Sequence, residues 1–339
     1  MTAPALRAAP VVFLLGAGPA AAAAPMSYLE GFGARAYPVV SLTWALIALS
    51  VVVVLIITVL VVVGIARRRR DHDDGGAAVR RDGTGPALRW IYAGLALTTL
   101  TLGVFVTATM VTMAAIRAPA TTPAVTVSIT GHQWWWEARY SAAEVSRTFT
   151  TANELHIPVG EPVRIVLNSA DVIHSFWVPA LGGKMDLIPG QTNAMWIEAD
   201  HRGVYRGICN EYCGLQHAHM AFRVFADAPE DFAAWWDRQL NDAPEPQTEA
   251  LARGEALFVR ECGACHAVRG TVANGAFGPD LSHLMDRTTL ASGTLPNTVG
   301  HLSAWIADPQ HLKPGTTMPN PDISGPELAL IRNFLLTLE

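Results

Sequence analysis

An unbroken uncharged run from Ser41 to Ala66 (SLTWALIALSVVVVLIITVLVVVGIA) constrains this chain more than any other feature. A bilayer core is crossed by about 20 such residues in a helix. With no water there to bond the backbone, an apolar run of this length has no stable alternative to a helix. The first transmembrane helix is therefore expected over 41–66. A second uncharged stretch, Trp90 to Ile116 (WIYAGLALTTLTLGVFVTATMVTMAAI), predicts another over 90–116. Its β-branched residues are no obstacle where only helices can span. The 16% charged content of the whole chain lies well under the roughly 25% of soluble proteins, as a lipid-facing share requires.

The loop between the two runs, 67–89, holds seven arginines against four aspartates. The positive-inside rule places such a short loop in the cytoplasm and both flanks outside. The first 25 residues contain one arginine, an apolar stretch and a small-residue tract ending near Ala24, which reads as a signal peptide over 1–25. They contain no cysteine, so lipoprotein anchoring is not expected. The protein is thus expected to be a multi-pass protein of a bacterial-type plasma membrane, with its large C-terminal part on the extracytoplasmic side.

That part is acidic: after Ile116 there are 15 Lys plus Arg against 24 Asp plus Glu, a net of −9. This argues against a nucleic-acid partner and suits a basic soluble one. A solvated acidic surface with no partner would look the same. Short strand-like runs such as AVTVSITGHQWWWEARY and EPVRIVLNSADVIHSFWVPAL, broken by turn residues, predict an all-β sandwich over 120–228. PEDFAAWWDRQL then reads as a helix and NDAPEPQTE as a linker, together 229–248. Short helical patterns with Gly/Pro loops predict a small α-helical domain over 249–339, in which Leu328, Ile331, Leu335 and Leu338 share a face.

The chain contains four cysteines, in two close pairs. In an oxidising compartment disulfides are the default, so the neighbours decide. Cys262, Cys265 and His266 form C-x-x-C-H, in which two thiols attach haem c covalently and the histidine ligates iron. GEALFVREC supplies a preceding helix, and Met318 in MPN is the expected sixth ligand, because a thioether raises the haem potential and closes the site to oxygen. Met285, in LSHLMDR, is expected in the core instead. The other pair stands in CNEYCGLQHAHM, with Cys209, Glu211, Cys213, His217 and Met220 inside twelve residues, and His174 stands upstream in HSFWVPAL. Two thiolates, imidazoles and a thioether suit copper.

This ligand pattern, C-x-E-x-C-x-x-x-H-x-x-M after a transmembrane hairpin, resembles cytochrome c oxidase subunit II through Phe225. With the fused C-terminal domain the chain is similar to the subunit II of caa-type haem-copper oxidases. The resemblance implies a multi-domain membrane protein: a two-helix transmembrane hairpin, an all-β cupredoxin-like sandwich and an all-α class I cytochrome c domain. It implies a dinuclear copper A centre in which Cys209 and Cys213 bridge both metals, His174 and Met220 complete one, and His217 with the Glu211 carbonyl completes the other. Trp134 would be the aromatic through which electrons reach copper. The Glu211 carboxylate would meet a magnesium ion at the interface with subunit I, near Asp186. Gly278 and Pro279 would hold the haem histidine, with the Pro279 carbonyl accepting its N–H.

The implied function is oxygen reduction and proton translocation in aerobic respiration, with the oxygen site in subunit I, a subunit III beside it, and cytochrome c or another carrier as donor. The two membrane runs hold no histidine for a haem-copper site of their own. Rival readings are the input chain of a copper A nitric oxide reductase and a membrane-anchored copper-delivery protein. His132, His156 and His219 are expected to be ordinary surface or core residues, and Trp135 and Trp136 sheet packing. Two positions depart from the family pattern. Leu88, Arg89 and Trp90 stand where a carboxylate is usual at the second helix, and Gln191 stands where an arginine follows I-P-G.

Overall fold

The computed structural model describes residues 26–73 and 86–339; the expected signal peptide and much of the expected cytoplasmic loop lie outside the described residues. The two uncharged runs form helices α1 (Tyr37–Asp73) and α2 (Pro86–Ala115). Both are long and apolar enough to cross a membrane. Their apolar side chains face outward all round: Leu60 is 65% and Leu100 67% exposed, a surface stable only in lipid or against other helices. α1 outruns the apolar run because arginine is a good helix former and nothing in RRRR breaks the ladder. The residues before α1 have a role that their sequence does not announce. The Phe32 N–H donates to the Ala180 carbonyl (2.9 Å), the Asp200 N–H to the Phe32 carbonyl (3.0 Å) and Arg35 to the Trp196 carbonyl (3.1 Å). The Trp196 indole in turn donates to Ile116 (3.0 Å), just past α2. The outer ends of both helices are thereby tied to the domain that follows.

That domain is a sandwich of two five-stranded sheets. Its strands are β1 (Val125–His132), β2 (Trp135–Ser141), β3 (Phe149–Ala152), β4 (Glu154–Pro158), β5 (Val163–Ser169), β6 (His174–Trp177), β7 (Met185–Leu187), β8 (Asn193–Ile197), β9 (Gly203–Cys209) and β10 (Ala221–Asp227). One sheet has the order β3-β2-β1-β5-β8, the other β4-β10-β9-β6-β7. Strand alternation sends Val127, Ile129, Ile165 and Leu167 inward from one sheet and Phe176, Phe222 and Val224 from the other, all buried. Trp136 is fully buried among them, its ring 5.3 Å from that of Phe222.

Helix α3 (Pro229–Arg238) is part of this core and not of a linker. Phe232, Trp235 and Trp236 are buried, and Trp235 packs edge-on to Tyr140 (5.1 Å) and flat on His156 (4.2 Å). His156 is a structural residue, as its sequence suggests: it lies between Trp235 and Phe225 with Nδ1 2.6 Å from Asp227. The chain after α3 is also held, since the Ala243 N–H donates to the Arg269 carbonyl (2.9 Å).

The C-terminal domain packs helices α4 (Glu249–Glu261), α5 (Val299–Ala307), α6 (Pro309–Leu312) and α7 (Gly325–Leu335). α4 crosses α7 with Phe258 against Phe334 (5.5 Å). α7 starts on a Ser324–Glu327 capping box, which satisfies two orphan N–H groups. Of the expected apolar face, Ile331, Leu335 and Leu338 are buried and Leu328 packs at the edge. Met285 lies in this core too, its N–H donating to the Leu338 carbonyl (2.8 Å).

Candidate copper and haem centres

Strand ends bring the first cluster together. His174 opens β6, Cys209 closes β9, Met220 immediately precedes β10, and the loop between β9 and β10 carries Glu211, Cys213 and His217. Cys209 Sγ lies 3.7 Å from Cys213 Sγ, 3.9 Å from His174 Nδ1 and 3.2 Å from the Glu211 carbonyl; Cys213 Sγ lies 3.5 Å from His217 Nδ1 and 3.8 Å from Met220 Sδ. The sulfurs are too far apart for a disulfide, whose S–S bond is about 2.05 Å. His174, Cys209, Cys213 and Met220 are buried. Five soft and borderline donors and one backbone carbonyl converge, and the sulfur and imidazole donors suit copper.

Electrostatics favour a cation there. Sharing a hydrogen bond with Cys213 pulls the Cys209 thiol well below its ordinary value, while the same bond pushes Cys213 up. Asp171 accepts from His174 Nε2 at 2.8 Å, so Nδ1 is the nitrogen turned to the sulfurs. Partial burial works against the Asp171 carboxylate, but bonds from His174 and from the Val172 and Gln133 N–H groups outweigh it and hold its pKa below the usual value.

Trp134 sits at the turn between β1 and β2, 7% exposed, and its indole N–H donates to the Cys213 carbonyl (2.9 Å); Gln133 donates to the same oxygen (2.7 Å). Trp135 stacks on His132 (4.3 Å). The His219 side chain turns to Gln216 (2.7 Å), away from the cluster. The Glu211 carboxylate points outward, with Lys184 3.9 Å away. Asp186 accepts from Ser175 (2.7 Å) beside it.

The second cluster lies in the C-terminal domain. The turn after α4 is closed by N–H bonds from Cys265 and His266 to the Cys262 carbonyl, each 3.0 Å. His266 Nδ1 donates to the Pro279 carbonyl (2.8 Å), leaving Nε2 with its lone pair, and burial keeps the ring neutral by lowering its pKa. Gly278 makes this possible: a Cβ there would stand 2.5 Å from His266 Cε1. Cys262, Cys265, His266 and Met318 line one mostly apolar cavity, from which Met285 is absent. Gln310 donates to the carbonyls of Thr316 and Met318, each at 2.7 Å, and so shapes the methionine loop. A flat apolar group with an axial imidazole fits these residues.

Sequence reading missed Asp171, Gln133, Glu154 and Lys313. Asp171 had a signal in its spacing three residues before His174. The others act through contacts between distant segments.

Comparison with known proteins adds to this geometry. Residues 142–226 match the family described as cytochrome c oxidase subunit II, periplasmic domain, and residues 251–339 match cytochrome c. Cytochrome c oxidase subunit 2 of Alkalihalophilus pseudofirmus is 43% identical over 218 residues, covering 63% of this chain and 61% of that protein. The protein of the same name from Bacillus subtilis is 30% identical over 230 residues, covering 64% and 63%. The chain therefore spans about six-tenths of the length of these curated relatives. The crystal structure of the periplasmic domain of subunit II of cytochrome oxidase (CoxB) of Bradyrhizobium japonicum matches at 31% identity and a TM-score of 0.34, covering 36% of this chain and 96% of that one.

Proposed function

We propose that this chain, whose residues 142–226 match the cytochrome c oxidase subunit II periplasmic domain and whose residues 251–339 match cytochrome c, is the electron-input subunit of a membrane-bound terminal oxidase. When bound, haem c and copper A would each supply a one-electron centre, for passing electrons toward a separate subunit I. Cys262, Cys265, His266 and Met318 would hold the haem. Cys209, Cys213, His174, Met220, His217 and the Glu211 carbonyl would hold the two coppers. The observation that carries this reading is the convergence of four further donors on one sulfur pair 3.7 Å apart.

The residues around the two sites do the rest. Asp171 fixes the His174 ring, and Pro279 fixes the His266 ring, so neither ligand has to be ordered when the metal binds. Trp134 packs between the copper loop and the haem cavity, which supports its role as the aromatic link for electrons. The outward Glu211 carboxylate supports a magnesium site shared with subunit I. α1 and α2 anchor the chain in a bacterial plasma membrane, with both redox domains outside. The expected membrane runs contain no histidine, so oxygen chemistry and proton pumping belong to the partner.

The test is low-temperature EPR on the full-length, copper-loaded chain beside Cys213→Ser. A multi-line hyperfine pattern from one electron shared by two coppers, lost in the variant, is expected. A mononuclear copper signal in the parent chain would refute the dinuclear assignment.

A further inference from the structure

Two buried charges cross between the sandwich and the cytochrome c domain in opposite directions, and neither belongs to a metal centre. Glu154, on β4 and 4% exposed, accepts from the N–H and hydroxyl groups of both Thr288 and Thr289, at 2.6 to 3.0 Å. Lys313, just after α6 and 2% exposed, donates from Nζ to the carbonyls of Trp134 (2.8 Å) and His219 (2.8 Å) in the sandwich and of Ala291 (2.9 Å) in its own domain. When protonated, the Lys313 amine has three N–H bonds, and all three are used. Lesser bonds follow the same seam. Ser292 donates to the Ala221 carbonyl (2.7 Å), Ala221 donates back to the Ser292 carbonyl (3.1 Å), and Gln216 donates to Pro314 (2.8 Å).

Burying a charge costs more than burying an apolar side chain, so an interface that needed only adhesion would not hold these two. What they add is direction. Most of their partners are backbone groups, whose positions the two folds determine, so a small slide or rotation breaks several bonds at once, whereas apolar contacts would re-form after it. The position they enforce has a consequence for the haem crevice. Cys262, His266 and Met318 share their cavity with Trp134, Trp135 and Lys313. The loop after Lys313 also lies over the copper-side tryptophan: a Cβ on Gly315 would stand 3.6 Å from the Trp134 ring and 3.3 Å from Leu215.

We propose that Glu154 and Lys313 are positioning residues that clasp the cytochrome c domain in one orientation over the copper loop, holding the haem crevice against Trp134 and Trp135 and closing Trp134 to any other donor. The fused domain is then a fixed relay and not a tethered carrier, and a soluble donor addresses its haem, never the copper loop. This deepens the electron-input reading and rests on it for its purpose.

The test is amide hydrogen exchange on the full-length chain with haem and copper loaded, each variant being read at a contact it does not itself make. Lys313→Met is read at the Thr288 and Thr289 amides, and Glu154→Gln at the Ala221 amide. Loss of one charged bond should raise exchange at the distant contact by about tenfold or more, with amides within α4 and α7 unchanged. The rate of electron equilibration between haem and copper should become slower and multiphasic, with the separate spectra of the two centres unaltered. Unchanged exchange at the distant contacts overturns the proposal. So does exchange rising equally within α4 and α7, which would make the two residues supports of the cytochrome fold. Exchange is read on amides, so this result stands or falls separately from the EPR test of the copper pair.

Discussion

Removing Asp171 isolates how this fold orients His174, a proposed copper ligand. His174 is fully buried, with Nε2 2.8 Å from the Asp171 carboxylate and Nδ1 3.9 Å from Cys209 Sγ. In Asp171→Ala the Nε2–H is left in the protein interior without an acceptor. That costs about 1–3 kcal/mol, which weakens copper binding by about 10- to 100-fold. Asp171→Asn keeps an acceptor and loses the charge. A charged bond is roughly twice as strong as a neutral one, so the loss is about 1 kcal/mol, or about fivefold. Asp171 also accepts the Gln133 N–H on Oδ2 and the Val172 N–H on Oδ1, each at 2.6 Å, so the alanine variant loses all three bonds, whereas the asparagine variant keeps Oδ1 for His174 and Val172 and loses the Gln133 bond. The assay is copper titration of the full-length chain against a chelator of known affinity. The expected order is parent, asparagine, alanine; an alanine variant that binds copper within twofold of the parent would sink the argument that Asp171 holds the ring.

Three further outcomes follow from the geometry. In Gly278→Ala the new methyl stands 2.5 Å from the His266 ring. The overpacking costs about 1–3 kcal/mol and lowers the melting temperature of the cytochrome c domain by about 4–8 °C per kcal/mol, read by calorimetry. Trp235→Ala empties a site that is 5% exposed between Tyr140, Phe149 and His156, and should destabilise the sandwich by about 3–5 kcal/mol in urea titration. Burial lowers Lys313 from 10.5 to about 7, so the folded protein binds fewer protons than the unfolded one between those values. Lys313 therefore adds an increase in stability as pH rises from about 7 to about 10.5; Lys313→Met removes it, and parent and variant melting curves that run parallel across that window would disprove it.

Local chemistry explains what could be read directly. An uncharged run as long as Ser41 to Ala66 has one stable form, a helix with apolar sides facing outward. C-x-x-C-H within one turn and C-x-E-x-C-x-x-x-H-x-x-M within one loop fix their own ligand spacing through a few backbone torsions. Those features, the strand alternation of the sandwich and the helical face around Ile331 needed no knowledge of distant contacts. The N-terminal tie through Phe32 and Arg35 and the burial of α3 under Tyr140 depend on which segments meet. Periodicity marks a face as apolar without naming what covers it.

The difference is sharpest at the domain seam. The sequence by itself determined that two clusters of metal-ligating residue types follow two long apolar helices, because the C-x-E-x-C-x-x-x-H-x-x-M and C-x-x-C-H motifs are each written in contiguous residues. NDAPEPQTE reads as a free linker, since Pro-rich acidic segments rarely pack. Only the tertiary structure decided that the two domains lock, through Glu154 reaching residues 134 positions later and Lys313 reaching back 179 to Trp134. A lone lysine before a proline and a strand glutamate carry no local pattern. Their burial and their partners exist only once both domains have folded and met.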